Sequence, residues 1–117
     1  MRKKDLNFGL IGSGFMGRTH VFGISIANRV FDLPYNLNLK KIADVSDALA
    51  SRAAEDLSIS KYTSDWEELV KDESIDVINI TSPNAFHKEM ALAAIKAGKH
   101  VYCEKPLSVS VGDAKEM

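Results

Sequence analysis

Apolar positions along the chain follow two alternating patterns. Short segments at 7–11, 37–43, 76–81 and 100–103 are too brief for helices and read as strands, and a further short strand is expected near 61–63. The run at 7–11 ends in glycines, as a buried parallel strand does. Between these runs lie longer stretches with helical spacing. The stretch 15–28 predicts a helix carrying Val21, Phe22, Ile24 and Ile26 as apolar residues. Ser46 is placed to cap a second helix. In that helix Ala50, Ala53, Ala54 and Leu57 fall at i, i+3, i+4 and i+7 and make one small-residue face that can sit close to a sheet. A brief helix is expected over 65–70, with Trp66. Another is expected over 85–97, with Phe86, Met90, Ala93, Ala94 and Ala97 on one face and Gly98 in the C′ position that ends it. The turn-rich segment 32–36, with Pro34 at its centre, separates the first helix from the second strand.

Strands separated by helices of this length make βαβ units. The expected fold is α/β, a Rossmann-type doubly wound parallel sheet between two helical layers, with right-handed crossovers. A chain of 117 residues is one domain, 1–117. Ser110 as an N-cap and Asp113 in the first turn predict a last helix only just begun. No stop signal follows, so the chain reads as the N-terminal piece of a longer protein, without its second domain.

Composition narrows the function. Apolar residues make up 45% and charged residues 26%, enough for a core and too ordered a mixture for disorder. The net charge of -1, from 15 basic and 16 acidic residues, gives no electrostatic footprint for nucleic acid or an anionic membrane. No run approaches the roughly 20 apolar residues of a membrane helix, and no signal-type apolar segment follows the basic start at 1–5. One cysteine, Cys103, excludes an internal disulfide and suits a reducing compartment. The expectation is a soluble cytoplasmic protein with no metal.

The chemistry lies in the junctions. Gly12-Ser13-Gly14-Phe15-Met16-Gly17 is a G-x-G-x-x-G motif placed between a strand and a helix, the context that gives the pattern meaning. Gly12 permits the tight turn, Gly14 leaves room for a diphosphate, and Gly17 lets helix and strand pack closely. Free N–H groups at the helix start favour the anion. Asp44 ends the second strand somewhat later than the roughly 20 residues usual after such a motif. A carboxylate there accepts from an adenosine ribose and repels a 2′-phosphate. With no Arg or Lys directly after it and Asp47 nearby, this favours NAD over NADP. The plain alternative for Asp44 is a solvated aspartate or helix cap.

Thr81, Ser82 and Asn84 follow the fourth strand, at the end where such sheets bind ligands. Asn84 either caps the next helix or meets the cofactor. His87, one turn on, is either structural or in contact with ligand. Glu104 and Lys105 follow the fifth strand. Lys105 there can stabilise negative charge as a hydride leaves, or form a solvated pair with Glu104. Pro106 fixes the backbone beside them. Trp66, Phe86 and Met90 read as core, His20 as a local packing or capping residue, and Cys103 as a buried strand residue.

Together these segments resemble the glucose–fructose oxidoreductase, inositol dehydrogenase and MocA family (Gfo/Idh/MocA). The matching stretches are 8–17 with His20, 43–46, 81–87 and 97–108, and the Glu-Lys-Pro segment at 104–106 is the most specific. The resemblance implies an enzyme that oxidises a ring hydroxyl of a sugar, inositol or related polyol with NAD, or runs the reverse. It implies that Gly12, Ser13, Gly14, Phe15, Met16 and Gly17 hold the diphosphate and that Asp44 binds the ribose. It implies that Thr81, Ser82, Asn84 and His87 line the cofactor site. Glu104 and Lys105 lie near the nicotinamide, where the lysine assists catalysis. The family's principal acid/base, usually a histidine of a second domain, has no counterpart here, and neither has its usual oligomer interface. Two other readings stand beside this one. They are a non-catalytic dinucleotide-binding sensor and another Rossmann dehydrogenase, such as a homoserine dehydrogenase relative.

Overall fold

The computed structural model describes residues 3–117. Met1 and Arg2, part of the basic start, lie outside the described residues. Five strands form one parallel sheet in the order β3-β2-β1-β4-β5. They are β1 (Lys4–Ile11), β2 (Tyr35–Ala43), β3 (Lys61–Thr63), β4 (Val77–Ile80) and β5 (His100–Cys103). The helices are α1 (Phe15–Val30), α2 (Asp47–Asp56), α3 (Trp66–Lys71), α4 (His87–Lys96) and α5 (Val111–Glu116). Among the described residues no helix is long and apolar enough to cross a membrane.

Alternation along the strands splits the core into two layers. Leu10 and Ile42 face one side and pack with Val21 of α1 and Ala53 and Ala54 of α2. Ile11, Ala43, Ile78 and Ile80 face the other and pack with Leu69 and Val70 of α3 and Met90, Ala91 and Ala94 of α4. Each such Leu or Ile, fully buried, stabilises the fold by about 1.5–3 kcal/mol. The expected doubly wound sheet is therefore present, with helices on both faces. The expected caps also form: Ser46 Oγ accepts from Leu49 N–H and Ser110 Oγ from Asp113 N–H. Gly98 follows α4 at φ +78°.

The structure differs from the sequence reading, or narrows it, at several local points. Strand β2 begins at Tyr35, inside the segment expected to be a turn, and β1 begins at Lys4. The cause is non-local: Lys4 and Asp5 pair with Tyr35 and Asn36, and Asn36 Nδ2 donates to Asp5 Oδ1 at 2.8 Å. On α1, Val21 is buried but Phe22 is 65% exposed and Ile26 is also exposed, because they lie on the face turned away from the sheet. Phe86 is 47% exposed, since it sits in a 3₁₀ turn (Asn84–Phe86) and not on the inner face of α4. Asn84 caps nothing: it opens that 3₁₀ turn, and α4 starts at His87 without a side-chain cap.

Candidate functional site

Strands β1 and β4 are neighbours, yet the chain leaves β1 toward β2 on one side and reaches β4 only later on the other. Their C-terminal ends therefore open a crevice at the point where strand order reverses. The 12–17 turn forms its floor. Gly12 has φ +99°, and a Cβ there would stand 2.8 Å from the Thr81 carbonyl. At Gly17 a Cβ would lie 2.1 Å from Gly12 O. The turn is pinned from three directions. Gly12 N–H donates to Ala43 O at 2.9 Å, Thr81 N–H to Ile11 O at 2.9 Å, and Thr81 Oγ1 to Gly12 O at 2.8 Å. Gly14, by contrast, faces open space, with nothing within 4 Å of its Cβ position. It is the N-cap of the 16-residue helix α1 and supplies no side-chain cap, so first-turn N–H groups are left without a side-chain partner. The exposed side chains of Phe15 and Met16 flank that turn.

Asp44 lies across the crevice. Its Oδ2 accepts from Ser13 N–H at 3.0 Å and from the Ser13 hydroxyl, and its Oδ1 accepts from Val45 N–H at 2.7 Å. A groove of about 830 Å³ runs from Gly12 and Gly14 past Asp44 to Arg18, Arg52 and Asp56. A smaller cavity of about 220 Å³ lies beside it between Val45, Trp66, Ser82, Pro83 and Phe86. Arg18 Nη2 pairs with Asp56 at 3.3 Å, and its Nε donates to Ser13 O at 3.2 Å. The two arginines escaped the sequence reading because neither directly follows Asp44 in the chain. Arg18 sits one residue past the glycine motif, and Arg52 lies in α2, six residues past the Ser46 cap.

The remaining predicted residues gather at the same edge. Thr81 and Ser82 follow β4. Asn84 is exposed above them. His87 is 1% exposed and lies beneath the loops, with Nδ1 2.8 Å from Pro106 O and Nε2 3.0 Å from Ser82 O. It thus bridges the segment after β4 to the segment after β5. Glu104 N–H donates to Ile80 O at 2.9 Å, and the Lys105–Pro106 bond is cis. Lys105 is exposed. The Lys105 N–H and, secondarily, His20 hold the Glu104 carboxyl below the usual carboxylate range. Cys103 is half-buried, not fully buried as expected; burial first and the Glu104 charge second push its thiol upward, away from nucleophilic thiolate chemistry. His20 makes contacts far from its own helix rather than a local cap: Nε2 lies 3.2 Å from Glu104 Oε1, and Nδ1 lies 2.8 Å from Asn79 Nδ2. A lone Asn in the apolar strand Val77-Ile78-Asn79-Ile80 was the available signal for this cluster.

Residues 6–117 match the family model described as the oxidoreductase family, NAD-binding Rossmann fold, of the Gfo/Idh/MocA proteins. The chain belongs to the Gfo/Idh/MocA oxidoreductase family. It is the NAD-binding domain of that family. A levoglucosan dehydrogenase of Pseudarthrobacter phenanthrenivorans is 40% identical over 115 residues, which cover 97% of this chain and 30% of that protein. A myo-inositol 2-dehydrogenase of Thermotoga maritima is 31% identical over 112 residues, 96% of this chain and 31% of that one. A solved levoglucosan dehydrogenase in complex with NADH superposes with a TM-score of 0.95 at 40% identity, covering 97% of this chain and 31% of the other. The chain thus spans about 30% of the length of these Gfo/Idh/MocA relatives, which are dehydrogenases.

Proposed function

We propose that this chain is the cofactor-carrying part of an enzyme that moves a hydride between NAD and a hydroxyl-bearing carbon of a sugar, inositol or related polyol. The observation that carries this reading is the convergence of the glycine turn, Asp44, the 81–87 segment and Glu104–Lys105 on one sheet edge. The cradle fits a dinucleotide. Gly14 leaves open space where a diphosphate needs it, and uncapped N–H groups face that space. Asp44, at the mouth of the groove, would accept from the adenosine ribose, exchanging part of its bond to Ser13 for a ribose hydroxyl. The cavity between Val45 and Pro83 has walls suited to a flat base. Phe15 and Met16 flank the diphosphate, and Thr81, Ser82 and Asn84 line the far wall. His87 supports that wall from beneath through Ser82 and Pro106.

Bound NAD supplies the hydride acceptor. Lys105 would donate a hydrogen bond to the reacting hydroxyl oxygen and stabilise alkoxide character there, a contact that strengthens toward the transition state. Glu104 anchors the Lys105 backbone. A base to take the hydroxyl proton, a substrate pocket and a homo-oligomer interface belong to parts of the enzyme outside these 117 residues, so this chain alone binds cofactor without turning over a polyol. Its half-buried lone thiol suits the reducing cytoplasm.

Calorimetric titration of the chain tests this reading. NADH should bind more tightly than NADPH, and Asp44→Ala should narrow the gap. The carboxylate opposes a 2′-phosphate, although Arg18 and Arg52 on the same groove soften that opposition. Equal or reversed affinities in the unaltered chain would remove the ribose role of Asp44.

A further inference from the structure

Two residues of one polar cluster, His20 and Asn79, are used by none of the roles above. Asn79 stands in the middle of β4 between Ile78 and Ile80 and is 1% exposed. A carboxamide so placed costs free energy unless its polar atoms are paired. Its Nδ2 lies 2.8 Å from His20 Nδ1, and His20 Nε2 lies 3.2 Å from Glu104 Oε1. The ionised Glu104 can only accept, so Nε2 carries the hydrogen. In the neutral ring Nδ1 then accepts, and Asn79 is the donor it needs. The two contacts therefore select one tautomer between them. The other Glu104 oxygen accepts from Lys105 N–H at 2.5 Å. Tyr102 packs edge-on against the His20 ring, with centroids 5.2 Å apart at 86°. The path Asn79–His20–Glu104–Lys105 joins β4, the first helix and the segment after β5.

We propose that His20 is a positioning residue: held as the Nε2–H tautomer by Asn79, it clamps Glu104 and so fixes the backbone from which Lys105 reaches the nicotinamide end of the crevice. This rests on the role of Lys105 given above. The clamp explains a fully buried asparagine in an otherwise apolar strand. It also explains why Glu104, whose carboxylate turns inward, directly precedes the lysine.

Nitrogen NMR of the His20 ring in the cofactor-free chain is the first arm of the test. Nε2 should carry the proton and Nδ1 should be bare. Asn79→Asp replaces the donor by an acceptor, so Nδ1 should lose the hydrogen bond it accepts and its nitrogen signal should move. The second arm compares NADH with ADP-ribose, which lacks the nicotinamide. His20→Leu should weaken NADH about fivefold, the loss of one ordinary hydrogen bond, and leave ADP-ribose within about twofold. His20→Gln keeps a donor within reach of Glu104 and should restore most of the NADH affinity. A proton on Nδ1 in the unaltered chain overturns the proposal, and so does an equal loss for both ligands. Failure of the cofactor reading is distinct, because the unaltered chain would then bind neither ligand.

Discussion

Gly17 and Gly23 stand in the same helix, and replacing each by alanine should shift stability in opposite directions. At Gly17 the new Cβ lies 2.1 Å from Gly12 O and 2.9 Å from Thr81 Oγ1. Ordinary contact begins at 3.4 Å, so the turn or the helix must move by about 1.3 Å. The obstacle is backbone, and it is tied down: Gly12 N–H is bonded to Ala43 O and Gly12 O accepts from Thr81 Oγ1. Overpacking of this kind costs about 1–3 kcal/mol, and here the upper end applies because no flexible side chain can yield. The helix preference of alanine over glycine offsets up to about 1 kcal/mol, leaving a net loss of about 2 kcal/mol. At Gly23 nothing lies within 4 Å, so only the helix preference remains, a gain of about 0.5–1 kcal/mol. For a domain of this size 1 kcal/mol moves Tm by roughly 4 °C. Gly17→Ala should melt about 8 °C lower than the parent chain and Gly23→Ala about 2–4 °C higher, by circular dichroism. Equal melting of the two variants, or a Gly17→Ala chain at least as stable as its parent, would refute the close packing of α1 on the β1 turn.

Gly14→Ala meets no atom, so its Tm should stay within about 1 °C, while its methyl enters the space where the diphosphate lies. NADH affinity should fall about tenfold, a loss of ~1.4 kcal/mol read by fluorescence titration. Acid should destabilise the chain through its paired carboxylates. Asp72, held down chiefly by Ser74, and Glu68 and Glu104 all have folded values below the ordinary carboxylate range. The unfolded chain then binds more protons, so this stability is complete above about pH 5 and is lost as pH falls below about 4 through the folded values. Urea midpoints measured from pH 7 to pH 3 should stay level and then drop; a midpoint that rises in acid would contradict the pairing.

Where the physics is local, the sequence was legible. The alanine face of α2, the serine caps and the glycine turn each rest on residues within a few positions of one another, and each stands as read. The corrections share a different origin. Tyr35 and Asn36 are strand because residues 31 positions earlier pair with them. Phe86 reads as core, yet the 3₁₀ turn leaves it 47% exposed. The sequence placed the predicted site residues on one edge of the sheet through topology alone. It did not show Arg18 and Arg52 beside Asp44, nor His20 between Asn79 and Glu104, because those neighbours are set by the crossing of α1 and α2 over the sheet.

The central claim is that NAD occupies the crevice at the carboxyl ends of β1 and β4. Backbone amide NMR of the labelled chain during titration with NADH tests it most directly. The account predicts that the largest shifts fall on Gly12–Gly17, Asp44–Val45, Ser82–His87 and Glu104–Lys105, with little change along the opposite sheet edge near Ser74 and Lys99. Shifts centred on the α3–α4 surface around Lys71 and Lys96, or no shifts at saturating NADH, would contradict it.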